Sequence, residues 1–177
     1  MNKKTVSSLL FLCFVGFFSP QGKAQVNRIL WPAQPILDSR DCILQLITPQ
    51  LRIKTEAVEK LEKPTIQPEG HATLEQYQAS FKSFQGWTPD QFLNFYNPIS
   101  NEIFLNGDTN YYKKLNRSIF DSLAHELTHF LQVKHWQADT TGGDDFLELQ
   151  AVQIQTWFRE THGHNVNNDG TFTCPLN

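Results

Sequence analysis

Residues 116–135 carry the pattern that restricts this chain most. Phe120, Leu123, Leu127 and Phe130 recur at the three-and-four spacing of one helix face. That spacing predicts an α-helix with one side buried against the rest of the fold. Set into the same stretch is His125-Glu126-Leu127-Thr128-His129. Residues four apart on a helix are about 40° apart and one turn along the axis, so both imidazoles project to one side. They do not share the main apolar stripe, and the turn between them lacks the Lys/Glu mixture of a solvated face. Two ring nitrogens so placed can grip one metal ion, with Zn²⁺ the best match. Glu126 is rotated away from both. It can instead reach a water molecule beside the metal, where a base is needed. The competing reading is an ordinary helix with two solvent-facing or core-bonded histidines.

A catalytic zinc needs a third protein ligand and an open position. Glu148 is the expected third ligand. Residues 130–147 leave room for the first helix to finish, for Gly142-Gly143 to reverse the chain, and for a second helix to return a carboxylate. That second helix is expected over 144–161, with Leu147, Ala151, Ile154 and Phe158 on one side. Ala151 is small enough to let the two helices approach. Asp144 and Asp145 are rival ligands, though an N-cap or first-turn acid explains each of them, and another His or no protein ligand at all are the remaining alternatives. Glu148 itself has the same plain alternative as a first-turn acid.

His125-Glu126-xx-His129 followed by Glu148 resembles the gluzincin branch of zinc metallopeptidases, to which the thermolysin-like and aminopeptidase families belong. The HELTH core also resembles that of small exported bacterial proteins of unknown function. The resemblance implies that His125, His129 and Glu148 bind zinc and that Glu126 is the catalytic base. It implies an α+β, zincin-like fold, with the active-site helix packed on a small mixed sheet and a second helix carrying the third ligand. It further implies a sheet edge that binds extended peptide, for which Ile103, Phe104 and Leu105 are the candidates. Val152 stands where thermolysin-like enzymes carry an Asp four residues after the third ligand, so a zinc histidine must be oriented by some other group. Candidates for stabilising an oxyanion are His162, His164, Tyr111, Tyr112 and Arg159.

Residues 1–24 read as a secretory signal peptide. Lys3 and Lys4 form its basic start, 9–18 form a ten-residue apolar run, and Gly22-Lys23-Ala24 supplies small residues before the expected cleavage. Ten apolar residues are too few for a membrane span, so no stable anchor is expected after cleavage. Residues 25–177 are then a single zincin-like metallopeptidase domain, exported to the periplasm or beyond. Removing three lysines takes the basic count from 15 to 12 against 18 acids, a net charge of −6. With no basic patch, nucleic-acid binding is not expected. Cys42 and Cys174 remain and are expected to pair.

Elsewhere, Asp38 or Ser39 is placed to cap a helix running to Lys63, with Pro49 as a kink. Residues 64–69 suggest an edge strand. Thr73 with Gln76 has capping-box spacing, and Thr88-Pro89-Asp90-Gln91 repeats the signal. Residues 95–106 read as a hairpin. Residues 165–170 partly mimic a Ca²⁺ loop but lack its acidic twelfth position. His71 and His135 are expected at the surface.

Together these features point to an exported zinc-dependent peptide-bond hydrolase acting on a peptide or protein substrate. A catalytically inactive peptidase-like domain that binds zinc or a partner is the alternative, and a helical domain with a chance motif is the third reading.

Overall fold

The structure is a computed structural model that describes residues 28–139 and 145–176. The expected signal peptide, Gly142-Gly143 and Asp144 lie outside the described residues. Helix α1 (Ala33–Gln50) begins ahead of the expected cap at Asp38 or Ser39. Pro35 sits in its first turn, where a missing N–H costs nothing because that donor has no helical partner. Burial of Ile36 holds this extra turn against the core. Pro49 falls in the last turn, and Arg52 then turns the chain with φ 56°. The helix expected to reach Lys63 is therefore broken, and a separate α2 (Thr55–Glu59) follows.

Strand β1 (Thr65–Pro68) leads to α3 (Leu74–Gln85), which opens with the predicted Thr73/Gln76 capping box and closes on Gly86 at φ 79°. The similar run at Thr88-Pro89-Asp90-Gln91 opens no helix. Phe92 stacks on Tyr77 with ring centroids 4.5 Å apart, and the Tyr77 hydroxyl accepts the Leu93 N–H at 3.1 Å. These contacts keep the segment extended into β2 (Phe95–Asn97), which turns through Asn101 into β3 (Glu102–Leu105).

The sheet order is β1-β3-β2, with β1 parallel and β2 antiparallel to β3. Ile66 pairs with Ile103, and Phe95 with Phe104. Alternation along the strands decides what covers each face. Ile66, Tyr96, Ile103 and Leu105 join the main core with α1 and α5 (Ile119–Lys134). Phe95 and Phe104 turn the other way, into an aromatic cluster with Tyr77 and Phe81 of α3. The sheet is thus sandwiched between helices, an α+β arrangement.

β3 being central overturns one expectation. Ile103, Phe104 and Leu105 are buried and β3 is hydrogen-bonded on both sides, so its backbone cannot receive a peptide. The hairpin's other strand, β2, lies at the edge instead.

A short α4 (Thr109–Lys114), capped by Asp108, precedes α5. Ser118 and Asp121 form a capping box at the start of α5. Helix α6 (Asp145–His162) packs along α5 through the fully buried Ala151. The tail returns past α1, where Cys42 and Cys174 are disulfide-bonded with Cα atoms 6.0 Å apart. Phe172 packs against Phe120 and Phe158. At the other end Arg28 pairs with Glu69 and Asp108, and the Trp31 N–H bonds to the Gly107 carbonyl. Gly107 fits because a Cβ there would lie 2.9 Å from the Glu69 carbonyl oxygen. No helix among the described residues is long and apolar enough to cross a membrane.

Candidate metal centre

Helix α5 places His125 and His129 one turn apart, and their Nε2 atoms come within 3.1 Å of each other. Helix α6, running back along α5, brings Glu148 to the same point. Its Oε1 lies 3.5 Å from His125 Nε2 and its Oε2 3.2 Å from His129 Nε2. The three ligand atoms lie within 4.8 Å of one another, a grouping that could hold a metal ion. Asp145 lines the same cleft but is not part of this group. Among the described residues, Glu148 is the carboxylate that joins the two histidines.

The cleft encloses about 460 Å³. His125, Glu126, His129, Asp145 and Glu148 form its polar side, while Phe81, Phe84 and Phe95 form an aromatic wall. Tyr96 of the edge strand β2 also lines it, with Asn94 just ahead of the strand, so β2 borders the metal-competent group directly. Glu126 is buried beside the histidines rather than among the three converging groups.

The carboxylates differ in electrostatic setting. Burial raises the Glu126 pKa, and Glu148 adds to the rise, while His125, His129 and a backbone hydrogen bond from Tyr96 oppose it. Hydrogen bonds from His125 and His129 hold Glu148 well below the usual carboxylate range. For His129, burial pulls downward, but Glu148, Glu126 and Gln132 outweigh it and the pKa is raised.

The candidates for oxyanion stabilisation are elsewhere. His162, His164, Tyr111, Tyr112 and Arg159 do not line the cleft. Tyr112 is buried, its hydroxyl donating to the Asn106 carbonyl at 2.8 Å. His162 packs on Trp157 and Phe158. In the 165–170 segment, Asp169 accepts from the Thr171 N–H and hydroxyl, and the Asn167 amide donates to Thr171 and Thr173. These groups bond to one another, and the segment is not among the metal-competent clusters of the described residues.

Sequence reasoning passed over Gln132, which touches His129 from behind. The His129 Nδ1–Gln132 Oε1 distance is 2.8 Å. The signal was available, because residues three apart on a helix are neighbours. The aromatic wall was also missed. Phe81 and Phe84 have the spacing of an ordinary core stripe, and only the placement of α3 over the sheet brings them to the cleft.

No protein-family model matches the chain, and comparison with curated proteins and with solved structures gives no significant match.

Proposed function

We propose that the chain is an exported zinc-dependent peptide-bond hydrolase of gluzincin type, with a zincin-like fold. One observation carries the reading: His125, His129 and Glu148, from two separate helices, converge within 4.8 Å at a cleft that also holds buried Glu126. The donor set fits the ion, because two imidazole nitrogens and one carboxylate oxygen make up a common hydrolytic zinc site. When bound there, zinc supplies Lewis acidity that polarises a carbonyl and acidifies water.

The protein's own part follows from its side chains. Glu126 has a raised affinity for protons, which suits a carboxylate that takes one from the attacking water and passes it to the leaving amine. It lies apart from the ligand group, so it remains free for that transfer. An extended substrate main chain adds to the outer edge of β2, taking the role expected of Ile103, Phe104 and Leu105. The disulfide suits an oxidising compartment, in keeping with export.

The test pairs zinc analysis of the purified protein with digestion of a broad peptide library, wild type against Glu126→Gln. Expected are one zinc per chain in both and a loss of about 10²–10⁴-fold in hydrolysis for the variant. Equal hydrolysis by the two proteins sinks the mechanism. Zinc binding without cleavage of any library member points to the non-catalytic binding domain instead.

A further inference from the structure

Gln132 lies on α5 one turn beyond His129 and is fully buried. Its Oε1 is 2.8 Å from His129 Nδ1. Its Nε2 donates to the Leu147 carbonyl at 2.9 Å and to Gln150 Oε1 at 2.9 Å. Both amide hydrogens are therefore used, and both acceptors belong to α6. A backbone carbonyl can only accept. The amide must turn its nitrogen toward Leu147, which leaves its oxygen facing His129. That oxygen in turn requires a proton on His129 Nδ1. A metal ion held by Nε2, the atom 3.1 Å from His125 Nε2 and 3.2 Å from Glu148 Oε2, leaves the ring proton on Nδ1, where this oxygen receives it. The chain of constraint runs from a backbone carbonyl of α6 to the electron pair of a ligand on α5.

The second arm of the amide reaches the third ligand. Leu147 and Gln150 flank Glu148 in the first turns of α6. Binding both ties the part of α6 that carries Glu148 to α5 at the position of His129. We propose that Gln132 is the positioning residue of the metal centre, setting the tautomer of His129 and the placement of Glu148 with one side chain. This role rests on the metal-site reading above. It answers the absence of an acidic partner at Val152: the orienting group sits on the active-site helix itself. It is also neutral, so it fixes the ring without adding negative charge to a site that already holds Glu126 and Glu148.

The test uses the full chain with Gln132→Leu, Gln132→Glu and Gln150→Leu. Long-range ¹H–¹⁵N spectra of the zinc-loaded protein report the His129 Nδ1 proton and how fast it exchanges with solvent. The wild type is expected to hold a slowly exchanging proton on His129 Nδ1, as is Gln132→Glu, which keeps an acceptor there. Gln132→Leu is expected to lose that protection. Zinc affinity, measured by competition with a chromophoric chelator, should fall about 10–100-fold in Gln132→Leu. It should fall less in Gln132→Glu and in Gln150→Leu, which keep the oxygen facing His129. If Gln132→Leu does not fold, the wild-type Nδ1 proton and the Gln132→Glu affinity still decide the matter. A His129 Nδ1 proton that exchanges freely in the zinc-loaded wild type overturns the role. So does a loss of affinity as large in Gln132→Glu as in Gln132→Leu, since a residue that only supports the fold gives no reason to separate them. A wild type that binds no zinc sinks the metal-site reading and this role together. Wild-type binding with unchanged affinity in Gln132→Leu sinks this role alone.

Discussion

At the scale of residues, protons and a divalent ion would compete for the same three groups. His125 and His129 both hydrogen-bond to Glu148, which lowers the Glu148 pKa and contributes to raising that of His129. A divalent ion entering this group displaces those protons. The sign follows: with the His129 pKa raised above its ordinary value of about 6.5, proton competition sets in at a higher pH than for a free imidazole. Zinc affinity should therefore decline as pH falls from about 8 to 5, with protons released on binding. Chelator competition across that range, with proton release followed in weakly buffered solution, measures it. An affinity independent of pH would contradict the ligand set. The two histidines of this candidate group were legible in the sequence, because His125 and His129 lie four apart on one helix and that spacing is a geometric statement. Glu148 was legible through the length of the intervening chain. Gln132 was not singled out, because an uncharged amide has no chemistry of its own until its neighbours are known.

At the scale of elements, the site depends on how closely α5 and α6 approach. Ala151 is fully buried, and Leu147, Ile154 and Phe158 lie on the same buried side of α6. Ala151→Leu forces extra volume into that contact, which typically costs about 1–3 kcal/mol. It also moves Glu148 away from the two histidines. The expected outcome is a lower urea midpoint together with weakened zinc binding, although no ligand has changed. Urea unfolding with and without zinc checks both, and unaltered zinc affinity would show that helix spacing does not govern the site. Helices with a cap or a repeating apolar side were readable in advance, α3 by its Thr73/Gln76 capping box and α5 and α6 by their apolar sides. Strand order was not. Ile103-Phe104-Leu105 is too short an apolar run to separate an edge strand from a central one, and β1 arrives from a distant part of the sequence to cover it. The Thr88-Pro89 signal failed for a similar reason: burial of Phe92 against Tyr77 outweighed a local preference.

At the scale of the whole molecule, the Cys42–Cys174 bond links α1 to the tail across 132 residues. Cross-linking so long a loop removes much of the freedom of the unfolded chain. Replacing both cysteines with serine should lower stability by about 2–5 kcal/mol. Thermal unfolding of the two proteins under the same conditions measures it, and equal melting temperatures would show that tail packing alone suffices. The same bond dictates an order of events during biosynthesis. Chains are made at about 5–20 residues per second, so the Cys42 thiol waits on the order of ten seconds before its partner exists. Over that interval α1 has also to wait for α5 and α6, which complete its side of the core. Phe172, settling between Phe120 and Phe158, is what carries Cys174 back toward α1. Oxidation is thus a latch that closes on a nearly finished protein. An oxidant meeting the growing chain too early finds Cys42 without its proper mate.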